Sequence, residues 1–249
     1  MAGHSKWKQI KRKKAVTDAR RGASWTKVIR EITVAARAGG GDPGANPRLR
    51  TAIDAAKAVN MPNDNIERAI KKGTGELEGA SYEEVTYEGY GPGGAAILIE
   101  ATTDNSTRTV AEIRHAFSRN GGNLGATNSV AWMFDRKGQI FLDAAKSAED
   151  ASLEAALEAG AEDFQRDGDQ YVVSTTVPTF HSVQDALRER GLELESAELA
   201  MVPRTTVKVE GKQAEQMLKL LESLEELDDV SRVFSNFDID ASQLAEASN

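Results

Sequence analysis

Residues 139–202 read QIFLDAAKSAEDASLEAALEAGAEDFQRDGDQYVVSTTVPTFHSVQDALRERGLELESAELAMV. Gln139 to Leu142 is a short apolar run of strand type, and Ala148 to Glu158 repeats its small and apolar residues at helical spacing. Glu162 to Arg166 and Gln170 to Val177 read as strands, Thr179 to Arg190 as a helix and Ser196 to Val202 as a strand. Gly138, Gly160, Gly168 and Gly191 punctuate the run. Strand, helix, strand, strand, helix, strand is the order of a ferredoxin-like split βαβ lobe.

The flanks repeat that order in two halves. Upstream, Glu83 to Glu88 and Ala95 to Ala101 read as strands joined through Tyr90 and Gly91-Pro92-Gly93-Gly94. Asn105 caps a helix through Phe117, closed by Gly121 and Gly122, and Ser129 to Phe134 reads as a further strand. Downstream come a strand at Thr205 to Glu210, a helix at Gln213 to Leu224 and a strand at Val230 to Phe237. Joining strand 95–101, helix 105–117 and strand 129–134 to the downstream trio restores the split βαβ order. The expected class is therefore α+β with three lobes: an N-terminal helical domain over 1–78, a split α/β domain over 79–135 plus 204–240, and an inserted ferredoxin-like domain over 136–203.

The N-terminal lobe is read from helical stripes and caps. Trp25, Val28, Ile29, Ile32, Ala35 and Ala36 mark one buried stripe, stopped by Gly39-Gly40-Gly41. Asn46 and Pro47 start a second helix with Leu49, Ala52, Ile53 and Ala56 inside. Asp64 and Glu67 have capping-box spacing for a third, whose inner face is Ile66, Ala69 and Ile70 and which Gly73 and Gly75 end.

Charge divides the chain more sharply than structure does. Residues 1–72 hold 17 Lys and Arg against 6 Asp and Glu, while the rest holds 14 against 33. No acid precedes Asp18, and Lys6, Lys8, Lys11, Arg12, Lys13 and Lys14 crowd the opening arm. Concentrating cations at one end of an acidic protein costs self-repulsion that a phosphate backbone relieves. The candidate nucleic-acid contacts are the arm cations with His4 and Trp7, then Arg20, Arg21, Lys27, Arg30, Arg48, Arg50, Arg68, Lys71 and Lys72. Trp7 either stacks on a base or pins the arm to the bundle.

Catalysis finds little support in these residues. The chain has no Cys and only His4, His115 and His181, which leaves no thiolate site, disulfide or histidine-rich metal site. Glu84 and Glu88 share a strand face, but nothing near them marks an acid–base pair, and they read as solubilising strand charges. Gly91 to Gly94 lacks the Lys-Ser/Thr ending of a phosphate loop and reads as a turn with positive φ. Trp132 and Phe134 share strand parity and are expected in the core. No apolar run reaches the roughly 18 residues of a membrane span, and the basic N-terminus lacks a secretory apolar segment. The expectation is a cytoplasmic protein with no cofactor, metal, membrane or small-molecule partner.

Several motifs together are more specific than any one of them. Met1-Ala-Gly-His-Ser-Lys-Trp7, Gly39-Gly40-Gly41-Asp42-Pro43, Asn46-Pro47-Arg48-Leu49-Arg50, Asn60-Met61-Pro62 and Asn65-Ile66-Glu67-Arg68-Ala69-Ile70 run through the first quarter. Tyr87-Glu88-Gly89-Tyr90-Gly91-Pro92-Gly93-Gly94 and Gly121-Gly122-Asn123-Leu124-Gly125 continue the series. The chain resembles the YebC family in these positions. Trp25 stands where Phe is usual and Asn128 where Gly is usual; Asn tolerates a left-handed backbone, so the second change is conservative. The resemblance implies a three-lobed fold and a non-enzymatic, cytoplasmic role in gene expression. That role is either DNA-binding transcriptional regulation or, as in a mitochondrial translational activator and members tied to elongation through proline-rich sequences, a ribosome-bound function. The residues themselves support the shared element of both, which is polyanion binding.

Overall fold

The computed structural model describes residues 20–239, with side chains from residue 25 onward. The first lobe is a three-helix bundle: α1 (Arg20–Gly39), α2 (Pro47–Ala58) and α3 (Asn63–Thr74). Its core is Ile32, Ala35, Ala36, Leu49, Ala52, Ala56, Met61, Ile66 and Ala69, with Trp25, Val28 and Ile29 packed beside it. Asn46 ties the bundle together. Its side-chain oxygen accepts from the Leu49 N–H at 3.1 Å, and its amide donates to the carbonyls of Ala35 (2.8 Å) and Gly40 (2.9 Å). One buried side chain thus caps α2 and anchors the end of α1. The third helix differs from expectation. It starts at Asn63 after Pro62 with no side-chain cap, so Asp64 serves only as a first-turn charge. Gly73 lies inside α3, where a Cβ would press on Ala36 of α1 at 2.7 Å; Gly75, at φ 85°, makes the stop.

The second lobe opens with the hairpin β1 (Glu83–Tyr90) and β2 (Ala96–Thr103), then α4 (Ser106–Arg119) and the two-residue β3 (Asn123–Leu124). Gly93 and Gly94, at φ 74° and 78°, make the hairpin turn as expected. The inserted lobe follows: β4 (Phe134–Asp143), α5 (Glu149–Glu158), β5 (Asp163–Asp167), β6 (Gln170–Thr175), α6 (Phe180–Glu189) and β7 (Leu194–Pro203). Its sheet order is β5-β6-β4-β7, antiparallel throughout. That is the ferredoxin-like arrangement read from residues 139–202. The chain then returns to the second lobe through β8 (Val207–Lys208), α7 (Gly211–Glu225), β9 (Val230–Ser235) and β10 (Phe237–Asp238).

The second sheet runs β3-β1-β2-β9, also antiparallel. Slot for slot it repeats the inserted lobe: β2 stands where β4 does, β3 where β5 does, β9 where β7 does. Only the remaining slot is filled differently. The sequence pattern puts residues 205–210 there, but β1 occupies it, and β8 instead pairs in parallel with β10 in a separate two-stranded sheet. The expected strand at 129–134 is likewise a turn, and Phe134 begins β4 of the next lobe. The fold is α+β with three lobes, as read from the sequence, with these two strands reassigned. The second core gathers Ile97, Ile99, Ile113, Phe117, Met217, Leu221 and Phe237; a smaller cluster of Ala96, Leu98, Val130, Phe134, Ala200 and Phe234 welds the two sheets together.

Candidate nucleic-acid interface

The bundle's cations divide into two groups. On α1, Lys27 and Arg30 reach into the second lobe. The Lys27 ammonium donates to the Glu225 carbonyl at the end of α7. Arg30 is nearly buried, with 12% of its side chain exposed, and pairs at 2.6 Å with Asp229, of which 2% is exposed. The same Arg30 Nη1 donates to the Asp228 carbonyl at 2.5 Å, and its guanidinium lies 5.5 Å from the Tyr82 ring centre. Asp229 also accepts from Arg108 at 2.7 Å, from Thr109 at 2.6 Å and from Thr103 at 3.2 Å. Burial alone would push this carboxyl up. The hydrogen bonds from Thr109 and Arg108, with the charges of Arg30 and Arg108, outweigh burial and hold it below the usual range. Farther along α1, Arg37 donates to Ser81 Oγ (2.9 Å) and the Tyr82 carbonyl (3.2 Å), fixing the linker to β1.

Arg48 on α2 is engaged as well. It holds Glu31 at 2.8 Å and Glu84 of β1 at 2.6 Å. Hydrogen bonds to Glu84 and then Glu31 raise its already high pKa, and Arg48 in turn keeps the Glu84 carboxyl below its ordinary value. Glu84 is thus a docking residue for the bundle rather than a free strand charge.

The second group faces outward. Arg68, Lys71 and Lys72 follow one another at helical spacing on the exposed side of α3, opposite Ile66, Ala69 and Gly73. None of the three has an ion pair among the described residues, nor does exposed Lys57 on α2. Arg50 is exposed too and, among the described residues, donates only to the neutral carbonyls of Pro43 (3.2 Å) and Gly44 (3.3 Å). The loop carrying those carbonyls lies against the end of α3, because a Cβ on Gly41 would stand 2.9 Å from the Thr74 methyl. Arg50 and the end of α3 therefore touch the same loop. Of the other expected contacts, His4, Lys6, Trp7, Lys8, Lys11, Arg12, Lys13 and Lys14 lie outside the described residues, as do the side chains of Arg20 and Arg21.

Matching family models run over nearly the whole chain. Residues 5–76 match the TACO1/YebC protein N-terminal domain, and residues 82–237 match the TACO1/YebC second and third domain. The chain belongs to the YebC family. A YebC relative from Gemmatimonas aurantiaca, named a probable transcriptional regulatory protein, is 63% identical over 99% of this chain and 100% of its own length. A protein of the same name from Trichlorobacter lovleyi is 57% identical, covering 98% of each chain. The crystal structure of a conserved hypothetical protein from Aquifex aeolicus superposes with a TM-score of 0.82 at 50% identity, covering 90% of this chain and 92% of that one. Helical domain followed by two α/β lobes is thus shared with a solved structure of the family.

Sequence reading misses Asp229, Arg108 and Glu88. Asp229 sits in an acidic turn 199 residues from Arg30, and no local pattern announces that pairing. Glu88, by pattern a surface charge, is buried, and its carboxylate accepts from the backbone N–H groups of Asn128 (2.6 Å), Val130 (2.7 Å) and Ala131 (2.7 Å). Asn128 adopts φ 64°, the left-handed geometry expected of it. Among the described residues no cluster of three or more His, Asp or Glu could hold a metal ion, and no helix is long and apolar enough to cross a membrane.

Proposed function

We propose that the chain is a non-enzymatic, nucleic-acid-binding regulator of gene expression, with residues 1–78 as its binding unit, most directly a DNA-binding transcriptional regulator. The carrying observation is charge polarity: 17 cations against 6 acids in the first 72 residues of an otherwise acidic protein. Support comes from the exposed α3 row of Arg68, Lys71 and Lys72, from exposed Arg50 on α2, and from the transcriptional-regulator names of relatives. Lys27, Arg30 and Arg48 act mainly in docking the bundle and contribute field rather than contacts. Binding of this kind reads the sugar–phosphate backbone more than base edges. The first turn of α3 carries Asp64, a poor group to present to a groove, and the α3 cations gather at its other end.

A second reading is a ribosome-associated factor, favoured by the acid-free arm before Asp18, which suits insertion among rRNA strands. Two measurements separate them. Equal affinity for promoter and scrambled DNA counts against a specific transcriptional regulator, whereas loss of the protein from ribosomal fractions at physiological salt counts against the ribosomal reading. Both require that changing Lys11, Arg12 and Lys14 to Ala weakens nucleic-acid binding and flattens its salt dependence, by roughly 0.9 in log–log slope for each duplex phosphate released. An unchanged slope removes the arm from the interface.

A further inference from the structure

Outside the bundle most cations are answered. Fourteen Lys and Arg follow residue 72, and nine of them have an ion pair among the described residues. The five without one are Arg114, Arg119, Arg136, Lys212 and Lys219, all exposed. Four of these stand on one layer, the helix pair α4 and α7 of the second lobe. Ile113 and Phe117 of α4 share the second core with Met217 and Leu221 of α7. At the C-terminal end of α4 the Asn120 amide donates to Ser223 Oγ (3.4 Å), and a Cβ on Gly121 would stand 3.5 Å from Gln216. Lys219 lies between Gln216 and Ser223 on that stripe of α7, so it faces the end of α4 that carries Arg119. Lys212 is one turn before Gln216, and exposed His115 is one turn before Arg119.

The acids of this layer are distributed the other way. Asp104, Glu112, Glu226 and Asp228 rim the cleft at its opposite end, where Arg30 enters. Near the cationic end Glu210 is paired with Lys208 at 2.6 Å, Glu215 is exposed among the cations, and Glu222 lies a turn beyond Lys219 toward the acidic rim. Helix stability accounts for only part of the pattern. Arg119 in the last turn of α4 complements that helix's dipole, but Lys212 in the first turn of α7 opposes its own.

The layer also leads away from the bundle. Lys27 docks at the carbonyl of Glu225, the last residue of α7, and at about 1.5 Å per residue Lys219 and Lys212 lie about 9 and about 20 Å back along the helix. A strand rising about 3.4 Å per nucleotide covers that distance in roughly six nucleotides. For a strand already held by the N-terminal domain this contact is intramolecular, so a modest cluster adds affinity it could not supply alone. A phosphate chain, unlike a broad acidic protein surface, can follow the cations and leave the carboxylate rim to one side.

We propose that the Arg119 end of the α4–α7 layer is a second phosphate-contact surface, engaged by the nucleic acid that the N-terminal domain holds. This rests on the nucleic-acid reading above and extends it from one lobe to two. Arg114, Arg119, Lys212 and Lys219 are the contacting groups.

The test uses the full chain with a DNA duplex of about 30 base pairs and a single-stranded RNA of about 30 nucleotides, titrated across about 50 to 200 mM salt. The combined variant Arg114→Ala, Arg119→Ala, Lys212→Ala, Lys219→Ala should bind more weakly. Its log–log slope should shrink by roughly 0.9 for each duplex phosphate released, or roughly 0.7 for each on a single strand. A charge-matched control, Lys146→Ala, Arg166→Ala, Arg188→Ala, Arg190→Ala, removes four answered cations of the third lobe and should keep the parent's slope. Arg114→Lys with Arg119→Lys retains the charge and should also keep it, which separates phosphate contact from loss of fold. A slope reduced on one probe alone supports the surface and names that probe's strand form as its ligand. An unchanged slope on both probes, or an equal loss in the control, overturns the inference and gives this face to an acidic protein partner. The N-terminal reading then stands if changing Arg68, Lys71 and Lys72 to Ala still shrinks the slope. Failure of the parent chain to bind either probe at low salt overturns both.

Discussion

Two faces of the same small bundle use the same residue types for opposite ends. On the α1 side, Arg30 meets a carboxylate that is 2% exposed, and Arg37 and Arg48 grip the linker and β1. On the α3 side, Arg68, Lys71 and Lys72 stand in water without a counter-charge among the described residues. Composition gives these cations equal weight. Environment does not: a charge enclosed by acceptors is held for structure, whereas a charge left among its own kind keeps its field for a partner. Net basicity is therefore a poor count of binding groups. The useful count is of cations that the fold leaves unanswered.

The largest expected effect falls on the enclosed side. Asp229→Ala strips Arg30, Arg108, Thr103 and Thr109 of a shared acceptor, and removing one member of such a buried pair costs about 3–5 kcal/mol. Urea denaturation should show a markedly lower midpoint with the nucleic-acid salt slope unaltered. A midpoint within error of the parent would mean that the bundle is not docked through this residue.

Next in size is Glu88→Gln. An amide puts an N–H₂ where a carboxylate oxygen met backbone donors, leaving at least one buried N–H unpaired at a cost of about 1–3 kcal/mol. Thermal unfolding reads the effect, and a variant as stable as the parent would remove Glu88 as the clasp of the 125–133 turn.

Acid should loosen the enclosed face before the open one. Asp229 and Glu84 both titrate below their ordinary values, so the unfolded chain binds more protons than the folded one as pH falls. Their contribution is complete above about pH 5, declines through the unfolded carboxylate range near about pH 4, and is exhausted once pH passes below the depressed folded values. Denaturation midpoints measured between about pH 6 and 3 should fall less steeply in Asp229→Asn than in the parent. Equal slopes would deny the linkage. Smallest of all is Glu84→Gln, whose partner Arg48 keeps Glu31; a half-exposed pair of this kind contributes at most about 1 kcal/mol.

The fold is largely legible because the six elements of residues 139–202 are contiguous and glycines punctuate them, so their order alone specifies the lobe. The second lobe is harder for a physical reason. Which strand fills a sheet slot is settled by long-range pairing, and β1, at 83–90, takes the place that residues 205–210 could equally fit by pattern. Period-two parity likewise puts Trp132 inside, but three N–H bonds to Glu88 turn the backbone there and bring the ring out. At the candidate interface the cations can be found from sequence alone. Their partners cannot, since Arg30 meets Asp229, and Arg48 meets Glu84, only after separate lobes have packed.

We propose that the unanswered cations of α3 touch phosphate while the answered cations do not. Titrating duplex DNA across about 50 to 200 mM salt with the full chain and with an Arg68→Ala, Lys71→Ala, Lys72→Ala variant tests it most directly. The log–log slope should shrink by roughly 0.9 for each phosphate the variant no longer neutralises, with stability within about 0.5 kcal/mol of the parent. A slope identical to that of the parent would take the α3 cations off the phosphates.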